Sequence, residues 1–122
     1  MMLTYLAYGL AIVLDLFLLF IGLRFLFAPH ASAAGYGVPA TERPFLTVKG
    51  LRDGSYGLLG LALLAFVGAR AGAWFMLVVA LNPVGDTFVV LRNGGAKAVA
   101  YGIHFATAIV VLLCAGLLFA VG

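Results

Sequence analysis

Residues 49–69 read "KGLRDGSYGLLGLALLAFVGA": three charges within five residues, then an almost unbroken apolar run. Lys49, Arg52 and Asp53 sit where a membrane helix enters hydrocarbon, at the mouth of a segment long enough to cross it. Helical spacing sorts this segment into two faces. Lys49, Asp53, Tyr56 and Gly60 follow one another at steps of four, three and four, which is one stripe. Gly50, Gly54 and Gly57 make a second stripe about 100° away, of the kind that lets neighbouring helices approach closely. One face therefore packs, and the adjacent face carries charge into the interior.

The rest of the chain suits a lipid environment. Of 122 residues, 66% are hydrophobic and 9% charged, and the mean hydropathy is +1.22. Soluble domains carry about 25% charged residues. The polar side chains are too few to coat a water-soluble globule, whereas lipid solvates an apolar exterior. Four stretches predict spanning helices, 3–27, 47–69, 72–92 and 96–121, each near the roughly 20 residues that a bilayer requires. The expected fold is all-α: a polytopic membrane protein with one four-helix transmembrane bundle over residues 1–122. The first apolar run has no Lys or Arg before it and exceeds the roughly 7–15 residues of a signal-peptide core, so it reads as a span.

The segment 28–45, "APHASAAGYGVPATERPF", holds three of the four prolines and predicts an irregular connection, with Thr41 or Glu42 before Pro44 suited to start the second helix. Residues 68–72 and 93–95 predict tight helix-hairpin turns. Six of the seven basic residues flank the first and third loops, and only Arg70 lies on the other side. The positive-inside rule then puts those loops in the cytoplasm and both termini outside, in a cell inner or plasma membrane, or an endomembrane in a eukaryote. Basic residues at the ends of apolar runs suit lipid headgroups rather than nucleic acid. Cys114 is the single cysteine, so no intrachain disulfide forms, and its apolar setting marks it as a small hydrophobe. The echo between "LRFLFAPHASAAGYG" and "LRNGGAKAVAYG" is one that a duplicated helix hairpin would leave.

Three of the four acids fall inside spans: Asp15, Asp53 and Asp86. Each costs about 2.5–3.5 kcal/mol at a helix centre unless it is paired or neutralised. Asn82 and Asp86 share a face of the third span, Lys97, Tyr101 and His104 share one of the fourth, and Tyr8 and Asp15 share one of the first. These stripes lie at similar depth and are expected to converge. Arg24, nine residues from Asp15, falls on the opposite face and is expected to snorkel to headgroups. Arg52 has the planar donors to fork onto Asp15 or Asp86. In "ALNPVGD", Pro83 frees the carbonyl of Val79, and a helix broken in this way often lines a binding site.

The convergent groups carry acid–base chemistry. Asp53 and Asp86 are the candidate acid and base, Arg52 tunes them, Asp15 is a further candidate at mid-depth and His104 relays protons. Tyr56, Asn82, Tyr101 and Lys49 are candidates for contact with a lipophilic small molecule. There is no His/Cys cluster for a metal, "GLRDGSYG" lacks the Lys-Ser/Thr ending of a phosphate loop, and no cofactor is expected. Three functions compete: an isomerase, cyclase or epoxide-hydrolase-like enzyme; a proton-coupled small-molecule transporter using Asp15, for which a homodimer is the expected state; and an accessory protein whose polar core is structural.

The order "RFLFAP…GYG", "KGLRDGSYGLLGL", a third span with Asn and Asp and a fourth with Tyr and His resembles the small four-helix membrane proteins of domain-of-unknown-function family 4267, over nearly the whole chain. The resemblance implies four membrane helices and no particular activity. In layout the chain is also similar to the DoxX-like membrane proteins. By residue type alone, Asp53 or Asp15 with Arg52, Asp86, Tyr56 and Asn82 is similar to the Asp–Arg–Asp, Tyr and Asn group with which limonene-epoxide-type hydrolases position water, on an unrelated fold.

Overall fold

The computed structural model describes residues 1–37 and 43–122, and among them every regular element is helical. The helices are α1 (Met2–Phe27), α2 (Pro29–Tyr36), α3 (Arg43–Phe66), α4 (Ala69–Arg92) and α5 (Lys97–Val121). Three of them, α1, α4 and α5, are long and apolar enough to cross a membrane, as in a multi-pass membrane protein. The 24-residue α3 is of similar length but carries Lys49, Arg52 and Asp53 in its first half.

Small residues set the packing. α1 lies along α3, and a Cβ at Gly22 would strike the backbone of Gly50 and Gly54. A Cβ at Gly57 would sit 2.6 Å from the Leu19 nitrogen and 2.7 Å from the Asp15 carbonyl oxygen. The expected glycine stripe is therefore the α1–α3 seam, with the two backbones in direct apposition. α4 packs against the second half of α5, and Ala7, Ala11, Ala73, Met76, Cys114 and Leu118 close the core between these helices and α1. Phe17, Phe20, Trp74 and Leu113 lie exposed on the outside, an exterior for hydrocarbon rather than water.

One local expectation needs correction. Residues 29–36 are not irregular: they form α2, with Pro29 in the first turn and Gly37 capping the C-terminus in the left-handed region at φ 102°. Proline lacks only an N–H that a first turn leaves unpaired anyway, and glycine adopts positive φ without strain. Thr41 and Glu42, the expected start of the next helix, lie outside the described residues. The tight turns occur where expected, with Gly68 at φ 132° and Gly94 at φ 74°.

Two long helices depart from regular α geometry. α4 is interrupted at Ala80, between Ala69–Val79 and Leu81–Arg92. Pro83 offers no N–H to the Val79 carbonyl, and the ladder resumes at once with Val84 N–H donating to the Ala80 oxygen at 3.2 Å. In α5, residues Ala100–Phe105 wind as a π turn carrying His104. Such turns are rare and frequent at functional sites.

Candidate functional site

The α1–α3 seam brings Asp15 of one helix beside the charged face of the other. Asp15 is 1% exposed. Its carboxylate occupies the space that a side chain at position 60 would need, so glycine there is a steric requirement. Its Oδ2 is buried and has no hydrogen-bond partner among the described residues. One helical turn from the start of the polar stripe, Lys49 Nζ donates to Asp53 Oδ2 at 3.0 Å. The same ammonium stands over the rings of Phe25 at 4.9 Å and Tyr36 at 5.1 Å. An ammonium over a ring face gains from the ring quadrupole, so Lys49 is held from three sides.

Tyr36, which ends α2, is the hub. Its hydroxyl donates to Asp86 Oδ1 at 2.6 Å, its carbonyl oxygen lies 2.8 Å from His104 Nε2, and its ring meets the imidazole at 4.6 Å between centroids. A carbonyl only accepts, so Nε2 of His104 carries the hydrogen. Nδ1 then faces Asp86 Oδ2 at 3.8 Å. A proton taken up on that edge would be shared between imidazole and carboxylate. Burial, the hydrogen bond to Asp86 and the charges of Asp86 and Asp53 raise the Tyr36 pKa, so the phenol stays a donor.

These groups surround a cavity of about 660 Å³ that reaches from mid-depth at Asp15, Met76 and Val111 to Arg24 and Tyr36. Its walls are mostly apolar, with Leu14, Phe17, Phe75 and Val79 among them, and it takes in the Pro83–Gly85 kink. That combination of apolar walls and a few convergent polar groups is the usual make-up of a small-molecule site.

Of the candidates read from sequence, Asp15, Lys49, Arg52, Asp53, Tyr56, Asn82, Asp86 and His104 all line this one cavity. Tyr101 does not: it lies half exposed with its ring edge-on to Phe105. The expected fork from Arg52 to Asp15 or Asp86 is not formed; among the described residues the ion pair is Lys49–Asp53, and the carboxylate of Asp86 faces the His104 imidazole instead. The i, i+4 spacing within one helix satisfies Asp53 locally, which leaves the guanidinium of Arg52 exposed. Arg24 is also placed differently from expectation, since it lines the cavity as well. The cavity spans a wide arc of α1, with Asp15 and Arg24 on its two flanks. Tyr36 was missed altogether, hidden in a segment read as irregular. Pro29 and Gly37, bracketing eight residues, were the available signal.

The chain belongs to a family described as a domain of unknown function, DUF4267, whose model matches residues 16–118. No curated protein and no solved structure matches the chain.

Proposed function

We propose that this is a membrane enzyme performing acid–base chemistry on a lipophilic small molecule, with isomerisation, cyclisation or epoxide opening as the reaction class. The observation that supports it best is Asp86, held by the Tyr36 hydroxyl and faced by His104 on the wall of a largely apolar cavity. Packing alone needs no such concentration of proton-exchanging groups. In an isomerisation, one carboxylate would remove a proton from carbon while the other, protonated, returned one elsewhere on the same molecule, and His104, beside Asp86, would relay a proton back between turnovers. Asp86 and Asp53 take the acid and base roles, Tyr36 and Lys49 hold them in place, and Tyr56 and Asn82, which make no side-chain hydrogen bonds among the described residues, are free to orient the reactant.

In this reading α3 also spans, giving a four-helix bundle with both termini outside. Its seam with α1, which runs from Gly50 to Gly60, and the exposed apolar side chains of Leu51, Leu58 and Leu59 favour that arrangement. With Cys114 replaced by alanine, Ala34→Cys should resist an impermeant thiol reagent added outside, and Met2→Cys should react. The reverse pattern would overturn the orientation.

The unpartnered oxygen of Asp15 favours a second reading, a proton-coupled transporter. One experiment separates the two. Epoxides, polyenes and sterol-like alkenes are offered to the purified protein in liposomes and recovered for mass analysis. The enzyme reading expects conversion that is lost in Asp86→Asn and Asp53→Asn. Unchanged compounds, together with substrate-driven proton movement that Asp15→Asn abolishes, would replace it with transport.

A further inference from the structure

The cavity has a polarity along its length that its internal pairings leave unsatisfied. Lys49 is committed to Asp53, and Asp86 to Tyr36 and His104. Two cations remain. Arg24 comes from α1 and Arg52 from α3; both line the cavity, both are exposed, and neither has a carboxylate within ion-pair distance among the described residues. The glycine seam sets Gly22 against Gly50 and Gly54, so the two arginines stand at nearly the same level. At the other end lies Asp15, buried and with one oxygen unpartnered. Nine residues of α1 separate Arg24 from Asp15, a rise of about 13 Å. Between them the apolar part of the wall includes Phe17, Leu18, Phe20, Ile21 and Val79, with Tyr56, Asn82 and Asp86 also lining the space.

A site with two guanidinium groups at its exposed end that have no ion-pair partner among the described residues, mostly apolar walls set with a few polar groups, and a buried carboxylate at its far end is suited to an amphiphilic molecule. We propose that the ligand is an amphiphile with an acidic head, carboxylate or phosphate, held at the mouth by Arg24 and Arg52 while its apolar chain runs inward to Asp15. Guanidinium forks suit both kinds of head, and they keep their charge at any working pH. A neutral apolar compound would leave both arginines as they are, gaining nothing from them. The inference deepens the enzymatic reading by naming its substrate class: the reacting group of the chain would lie near Asp15 and Asp86, beyond the head.

The test is binding, measured apart from turnover. The protein in discs of neutral lipid is titrated with a fluorescent polyene fatty acid, with the phosphate monoester of the same chain, and with the matching alcohol. At least one acidic probe should bind tenfold or more tightly than the alcohol, and the better of the two names the head. Arg24→Gln with Arg52→Gln should remove that tenfold advantage while leaving alcohol binding unchanged. Gly85→Leu should weaken all three probes, because position 85 lies on the cavity wall with nothing within 4 Å of an added Cβ. Thr107→Phe, on α5, is the second blocking variant. Equal affinity for acid and alcohol would overturn the proposal, and so would an unchanged preference in the double arginine variant. Undiminished acid binding in both blocked variants would also overturn it, since the arginines would then only be gathering anions at the surface. Binding as described with no conversion of any probe would retire the enzymatic reading and leave this one standing; conversion of neutral compounds alone would do the opposite.

Discussion

Tyr36 and Asp86, fifty positions apart, meet in a 2.6 Å hydrogen bond that ties the short loop helix to the kinked fourth helix. The same tyrosine carries a cation against its ring and an imidazole against both its ring and its carbonyl. One side chain thus couples the Lys49–Asp53 pair to the Asp86–His104 edge.

A hydrogen bond to a charged acceptor contributes roughly 1.5–3 kcal/mol. Tyr36→Phe keeps the ring contacts and removes only that bond, so it should destabilise the protein by about that amount. Asp86→Asn and the double variant complete a cycle whose coupling energy should exceed about 1 kcal/mol in denaturant titrations. Additive losses would mean that the two groups do not meet in solution.

Alkaline pH gives an independent reading of the same contact. Burial first, then Asp86, raises the Tyr36 pKa above that of a free tyrosine. The neutral phenol is therefore favoured by folding, and its stabilising contribution is complete below about pH 10, the unfolded value. It declines as pH rises beyond that, towards the folded pKa. Melting temperatures of wild type and Tyr36→Phe should converge above about pH 10, and a constant gap would contradict the assignment.

Lysine 49, not arginine 52, is expected to matter for stability. Lys49→Met strands Asp53, which is 8% exposed, and should cost about 1–3 kcal/mol. Arg52→Met removes no ion pair among the described residues and should change stability by less than about 0.5 kcal/mol. Thermal unfolding in detergent orders the two variants, and the opposite order would restore the arginine as the structural partner.

The glycines divide into two groups. Gly57→Ala forces a Cβ into the backbone of Leu19 and Asp15, and should destabilise by about 1–3 kcal/mol or more. Gly9→Ala, with nothing within 4 Å, should be neutral or stabilise by up to about 1 kcal/mol through helix propensity. Equal effects in unfolding measurements would show that α1 and α3 are not in contact at that seam.

The elements that were legible in the sequence are those governed by period and bulk. Gly50, Gly54 and Gly57 announced the α1–α3 seam because a helix repeats every 3.6 residues and glycine has no Cβ. Pro83 announced the interruption at Ala80 because proline has no N–H to give. Eight of the nine candidate site residues share the cavity because stripes at matched depth have few other places to point. What stayed hidden depended on choices between partners. Arg52 and Lys49 are both within reach of an acid, and only the packed geometry decides between a local i, i+4 pair and a long fork. Tyr36 was obscured because prolines and glycines suggested a loop, although the same residues cap a short helix. No periodic signal marks the π turn in α5, since it changes the pitch of a helix without changing its composition.

That turn has a consequence for how the last helix can vary. A π turn closes with about one residue more than an α turn, so the sequence periods before Ala100 and after Phe105 are out of phase with each other. Downstream, Val111, Cys114 and Leu118 key the helix into the core. Upstream, the rotation that brings His104 to Tyr36 is set separately. Losing one residue there, Gly102 for instance, would let the winding relax to α geometry with the core end still seated and Lys97 facing nearly as before. The turn is thus the point at which the last helix can gain or lose a residue without unseating either end.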